Sequence, residues 1–304
     1  MSKTTDLADA SAKPTPLKSK LPARLDFWQS ATGLFLALFM WLHMFFVASI
    51  LLGKDAMYTV AKFFEGYHFF GQPYPILVTI AAAGVFAVLI AHAGLAMRKF
   101  PANYRQYSTF RRHMKSLRHD DTNLWFIQVF TGFAMFFMVS IHLYIMMTQP
   151  HTIDPYGSGD RMVTDWMWPL YLLLLLAVEL HASIGLYRLA VKWGWFEGKD
   201  AQATRRRLKQ AKWAVTVFFL VLGLATLAAY IKVGLDNRDN YGQRYVPSWE
   251  RQTQAPTPQA LIPAAQSAAP DTTAPSVVDS AVEVDAPLAS DAVVEPSGQD
   301  VGTD

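Results

Sequence analysis

Four of the eight histidines, His43, His92, His142 and His181, lie inside long apolar runs, one to a run. A neutral imidazole taken out of water has one N–H to donate and one lone pair to place, and each is costly if left unmatched. Four such groups at lipid depth argue against chance packing and for metal ligation or the passage of protons. The stretch LLLLLAVELHASIGLY (172–187) adds Glu179, two residues before His181. Residues two apart point to different sides of a helix, so Glu179 reads as a proton-handling neighbour and not as a second ligand. The other histidines, His68, His113, His119 and His151, fall between the apolar runs and read as surface groups.

Five apolar segments must hold these groups: Thr32–Leu52, Ile76–Met97, Leu124–Met147, Trp166–Tyr187 and Trp213–Ile231. Each is close to the roughly 20 residues a helix needs to cross the hydrocarbon core. The 304-residue chain is 52% hydrophobic and 13% aromatic, with a mean hydropathy of +0.16 although both ends are polar. The segments carry more aromatics and Met than a simple anchor requires, which predicts an all-α, polytopic five-helix transmembrane bundle. No short apolar core with a small-residue cleavage site precedes the first segment, so it is expected to stay in the protein. The absence of cysteine excludes disulfides, thioether-attached haem and iron–sulfur clusters held by this chain's own thiolates.

Charge orients the bundle. Residues 98–119 hold seven Lys or Arg and residues 188–212 hold eight, and the N-terminal arm adds Lys13, Lys18, Lys20 and Arg24. The opposite connections hold only Lys54 and Lys62 in one and Arg161 in the other. The positive-inside rule then places the N-terminus in the cytoplasm of a bacterial cell and the C-terminus outside. Basic clusters that flank apolar runs are topology signals, which argues against nucleic acid as a partner. Residues 1–25 read as a polar cytoplasmic arm, 26–237 as the transmembrane domain and 238–304 as an outer-side segment. Disorder is expected from about residue 252, because 252–304 is rich in Ala, Pro, Ser and Thr, lacks Lys and Arg and carries eight Asp or Glu. In the 53–75 connection, Val60, Phe63, Phe64 and Tyr67 recur at helical spacing and predict a short surface helix before Pro73 and Pro75.

Depth sorts the four histidines. At about 1.5 Å per residue, His142 lies about 8 Å and His43 about 14 Å from the outer ends of their segments. His92 and His181 lie about 8–9 Å from inner ends. Two pairs at two depths fit two bis-histidine b-type haems stacked across the membrane, with iron that carries electrons and binds no substrate. A zinc or di-iron site would want three or four ligands at one depth, often with carboxylates, and only Glu179 lies within a segment. A haem-free His/Glu proton or ion relay is the other reading of the same residues. Gly94, Gly132 and Gly185 are small residues that let a flat macrocycle approach a helix. Arg161, alone in its loop, reads either as a partner for an outer propionate or as a plain loop charge.

The motifs WLHMFF (41–46), IAHAGLAMRKF (90–100), MVSIHLYIM (138–146) and VELHASIGLYRL (178–189) resemble those of the dihaem cytochrome b subunits of fumarate reductases. The similar subunits of succinate:menaquinone oxidoreductases belong to the same group. The likeness covers roughly residues 25–250; the tail has no counterpart in it. It implies a membrane anchor for a flavoprotein and an iron–sulfur subunit on the cytoplasmic side, in a dimer of heterotrimers. It implies two haems b, with His92 and His181 as inner ligands and His43 and His142 as outer ligands. Menaquinol would be oxidised near the outer haem with Glu65, in KFFEGYHFF, as the essential carboxylate. Electrons would pass through both haems to the iron–sulfur partner and on to fumarate. Glu179 matches a glutamate tied to proton movement, and Gln29, Ser30, Trp125 and Lys192 match residues that hold the inner propionates. Rival expectations are the same subunit run as succinate:menaquinone reductase, the cytochrome b anchor of a hydrogenase or formate dehydrogenase, and a haem-free transporter. One histidine on each of four helices, with VELH, argues against the hydrogenase type.

Overall fold

In a computed structural model, residues 19–117 and 120–254 are described. The first 18 residues, His119 and the tail from residue 255 lie outside them. The described residues are helical throughout, without strands. In chain order the helices are α1 (Leu21–Val47), α2 (Lys54–Phe64), α3 (Tyr67–Phe70), α4 (Ile76–Met97), α5 (Tyr104–Leu117), α6 (Asp120–Thr148), α7 (Pro155–Val163), α8 (Trp168–Trp193), α9 (Ala201–Asn237) and α10 (Ser248–Gln254). A 3₁₀ turn, Ala48–Leu52, prolongs α1. Five of these elements are long and apolar enough to cross a membrane: α1 with its 3₁₀ turn, α4, α6, α8 and α9.

Packing arranges four of the spans as a ring. Helix α1 packs on α4, α4 on α6, α6 on α8, and α8 returns to α1. The diagonals, α1 to α6 and α4 to α8, bring little backbone together among the described residues. Helix α9 lies outside the ring, against α8 and α1, where Trp41 stacks on Phe219 at 5.3 Å. Cross-links define the two ends. At the end where α1 begins, Asp26 pairs with Lys99, just past α4, and with Lys192 near the end of α8. The Tyr187 hydroxyl donates to Asp121 there, and Lys209 pairs with the same carboxylate at 3.3 Å. At the far end, Thr79 donates to the Met147 carbonyl and Tyr230 to that of Val47.

Three features exceed what the apolar runs predict. Residues 104–117, expected as a basic loop, form α5, with Tyr107, Phe110 and Met114 at helical spacing and His113 exposed on it. The second outer connection forms α7, because Asp154 accepts from the Tyr156 and Gly157 N–H groups and Pro155 pre-sets the first turn. Helix α9 runs to 37 residues, well beyond Trp213–Ile231. Its Asp200 cap accepts from the Gln202 and Ala203 N–H groups, and the turns that follow are charged and lie outside the hydrocarbon length.

Helix α7 lies on α9 at a contact only glycine permits. A Cβ added at Gly159 would come within 2.7 Å of the Gly234 nitrogen and 3.0 Å of its Cα. Small residues let helix backbones meet this closely where lipid supplies no hydrophobic drive. Around the contact, Asp160 accepts from Asn237 at 3.1 Å and from the Gly242 N–H at 3.0 Å. Gly159→Ala should therefore lower stability by about 1–3 kcal/mol, as overpacking does. A reduced melting temperature of the detergent-solubilised protein is expected; an unchanged one would contradict the contact.

Candidate functional site

The four spaced histidines lie on the four helices of the ring, His43 and His142 on one diagonal and His92 and His181 on the other. On the α1–α6 diagonal, the rings of His43 and His142 have centroids 6.2 Å apart. That spacing admits one metal ion with a metal–nitrogen distance of about 2 Å on each side. His43 stacks on Phe39, one turn earlier on α1, at 5.8 Å and 10°. His142 Nδ1 lies 3.1 Å from the Tyr171 hydroxyl of α8. On the α4–α8 diagonal, His92 and His181 each reach a neighbouring helix of the ring.

The inner-level pair shows how the rings are aimed. His181 Nδ1 lies 2.9 Å from the Gln128 main-chain carbonyl. A carbonyl only accepts, so Nδ1 carries the proton and Nε2 keeps its lone pair. His92 Nδ1 lies 3.1 Å from the Thr32 hydroxyl, whose own proton goes to the Trp28 carbonyl at 2.8 Å. Thr32 therefore accepts from His92, and Nε2 is again the free acceptor. Holding one ring nitrogen from behind is how proteins orient a ligating histidine and raise its basicity. Each ring also sits against a glycine of the neighbouring helix. A Cβ at Gly33 would come 2.8 Å from His92 Cε1, and one at Gly132 would come 2.9 Å from His181 Cε1.

Gly33, Thr32, Gln128 and Tyr171 escaped the reading of the sequence. Their partners are 60 and 53 residues away in the case of Thr32 and Gln128, so spacing along the chain carries no sign of them. Of the glycines that reading did select, Gly132 faces a histidine, though His181 and not the His142 of its own helix. A Cβ at Gly94 would meet open space, and one at Gly185 would meet Gln128.

Among the described residues, no three His, Cys, Asp or Glu side chains converge as a zinc or di-iron cluster would need. The imidazoles instead stand on opposite helices, one pair with rings 6.2 Å apart and the other two rings each against a glycine, which fits a flat prosthetic group held by histidines.

The carboxylates take different settings. Glu179 is fully buried on α8, and among the described residues both of its carboxyl oxygens lack a hydrogen-bond partner. An ionised carboxylate at that depth would need compensation. Beside it, Ser183 donates to the Glu179 main-chain carbonyl, and Thr216 of α9 donates to Ser183 at 2.7 Å. Glu65 ends α2 at the far level and is 1% exposed. Helix packing buries it: Gly66 turns the chain in the left-handed region, φ 80°, and the Tyr74 N–H donates to the Glu65 carbonyl at 2.8 Å. The Glu65 carboxylate accepts from Lys62 Nζ at 2.7 Å.

Cations and polar groups sit at both levels. Arg161 of α7 is buried at 6% exposure and donates to the Thr152 hydroxyl at 2.6 Å. A buried guanidinium with one neutral acceptor is a strong site for an anion. At the end where α1 begins, Lys192 donates to Ser30 at 2.9 Å, and Ser30 to the Asp26 carbonyl at 3.0 Å. The side-chain oxygen of Gln29 is buried there without a partner. Trp125 stands apart from these groups, its ring 5.1 Å from Phe110 and 6.4 Å from Phe100.

Residues 103–222 match the family described as succinate dehydrogenase/fumarate reductase transmembrane subunit. The fumarate reductase cytochrome b subunit of Wolinella succinogenes is 62% identical over 226 residues, 74% of this chain and 88% of that protein. The subunits of the same name from two Helicobacter pylori strains are 59% and 58% identical over 223 residues, 73% of this chain and 86% of theirs.

Proposed function

The chain belongs to the fumarate reductase cytochrome b subunits of the succinate dehydrogenase/fumarate reductase family, and from that premise we propose that it is the quinone-reactive dihaem anchor of its complex. It is a multi-pass membrane protein and a subunit of an oxidoreductase assembly whose fumarate chemistry lies on partner subunits. The observation that carries the finer reading is the His43–His142 ring pair, 6.2 Å apart across one diagonal of the helix ring, with His92 and His181 on the two helices of the other. His43 with His142, and His92 with His181, would hold two haems b. When bound, these would supply one-electron redox chemistry between the two faces of the membrane.

The chain's own groups do the rest. Thr32 and the Gln128 carbonyl keep His92 and His181 in the tautomer that offers Nε2. Arg161 is a buried cation for a propionate at the far level, and Gln29, Ser30 and Lys192, with Trp125 on α6, would serve those at the other. Glu65, buried at the far level, is the acceptor for protons released by menaquinol. Glu179, between the levels, takes part in moving a proton inward so that charge follows the electrons. The basic end of the bundle faces the cytoplasm of a bacterial inner membrane. There it meets an iron–sulfur subunit, which passes electrons to a flavoprotein that reduces fumarate, in a dimer of heterotrimers.

His181→Ala should delete one b-type component from the redox difference spectrum of the purified complex and leave the other. Loss of both components from this single change would contradict the diagonal pairing. Glu65→Gln should keep both components yet slow quinol oxidation by about a hundredfold or more, the weight of a general base. Quinol turnover at the wild-type rate would rule out the role given to Glu65.

A further inference from the structure

Glu65 does not stand by itself. Asp55, Tyr58, Lys62 and Glu65 follow one another at intervals of three, four and three residues, which places them along one face of α2. The segment after α9 clasps the first half of that face. The Tyr245 hydroxyl donates to Asp55 at 2.7 Å, and the Ser248 N–H donates to the same oxygen at 3.0 Å. The ring of Tyr58 lies 5.8 Å from that of Tyr245 and 6.2 Å from that of Trp249. Arg244 secures the clasp to α7 through Asp154 at 2.9 Å. Burial, reinforced by the bond to Asp55, pushes the Tyr245 hydroxyl up to about 12, so it remains a donor at any ordinary pH.

Lys62 joins the clasp to the carboxylate. Its Nζ lies 5.4 Å above the Tyr58 ring and 2.7 Å from Glu65 Oε2. Among the described residues, Lys62 is the only side-chain partner of the Glu65 carboxylate. Glu65 is 1% exposed and Lys62 20%, so water barely reaches the acid and the neighbouring ammonium compensates its charge. A proton acceptor must be unprotonated and aimed when its substrate arrives. The ring under Lys62 limits where its ammonium can sit, by the attraction of a cation to an aromatic face.

We infer that Lys62 is a positioning residue for quinol oxidation, holding the Glu65 carboxyl group in place, and that the 245–251 clasp fixes Lys62 through Asp55 and Tyr58. The inference rests on the reading of Glu65 as the acceptor of quinol protons.

The test uses the full membrane-bound complex, with a reduced naphthoquinol as donor and a reduced viologen dye as the donor that bypasses the quinol site. Lys62→Met should lower kcat with the naphthoquinol about tenfold or more while KM changes by less than about threefold. The viologen-driven rate and the b-type spectrum should match wild type. Lys62→Arg, which keeps the charge, should recover kcat to within about threefold of wild type. Tyr58→Leu should cost about two- to fivefold, the worth of a cation–aromatic contact. If Lys62→Met does not assemble, Lys62→Gln carries the same expectation. Normal naphthoquinol turnover in the Lys62 variants beside a blocked Glu65→Gln overturns the inference alone. Arg as defective as Met also overturns it, since the charge would then not matter. Normal turnover in Glu65→Gln overturns the role of Glu65 and the inference with it.

Discussion

An uncharged imidazole inside a membrane has two nitrogens to match and no water to match them, and the arrangement of this bundle follows from that constraint. For His92 and His181, one nitrogen is satisfied by a neighbouring helix, Thr32 on α1 and the Gln128 carbonyl on α6. The other is left as a lone pair. The haems proposed for this bundle would take up such lone pairs from opposite helices, offset the cost of burying them, and tie together helices whose backbones otherwise barely meet. Glycines at 33 and 132 are part of the same solution, because a methyl group at either would collide with an imidazole.

The far level handles charge differently. Glu65 and Arg161 are both buried there, with Lys62 beside the acid and Thr152 beside the base. Neither sits on a spanning helix. They are carried by α2 and α7, and the chain holds these short helices down with the Gly159–Gly234 contact and the Tyr245–Trp249 clasp. The quinol chemistry proposed for this level needs access from the lipid as well as fixed proton acceptors. Short helices pinned at a few points provide groups that a straight span could not present.

Much of this is legible in the chain. The five spans follow from apolar runs, because the length that crosses lipid is set by bilayer thickness and not by tertiary detail. The presence of one histidine in each of four runs is equally plain, as is the oddity of Glu179 among leucines. Helices α5 and α7 are not visible in the same way, since their polar and apolar residues average out and only their faces distinguish them. The burial of Glu65 is hidden too. It depends on Gly66, Tyr74 and the packing of α2, none of which the local pattern KFFEGYHFF reveals. The residues behind the histidines are the least legible, because a threonine or a main-chain carbonyl acquires its role only when a distant helix arrives beside it.

The central claim is that the four imidazoles form two axial pairs, one on each diagonal. The most direct measurement is the haem content of the purified complex, by pyridine haemochrome assay against the amount of this chain. Two haems b per chain is the predicted result. One haem per chain, or none, would contradict it.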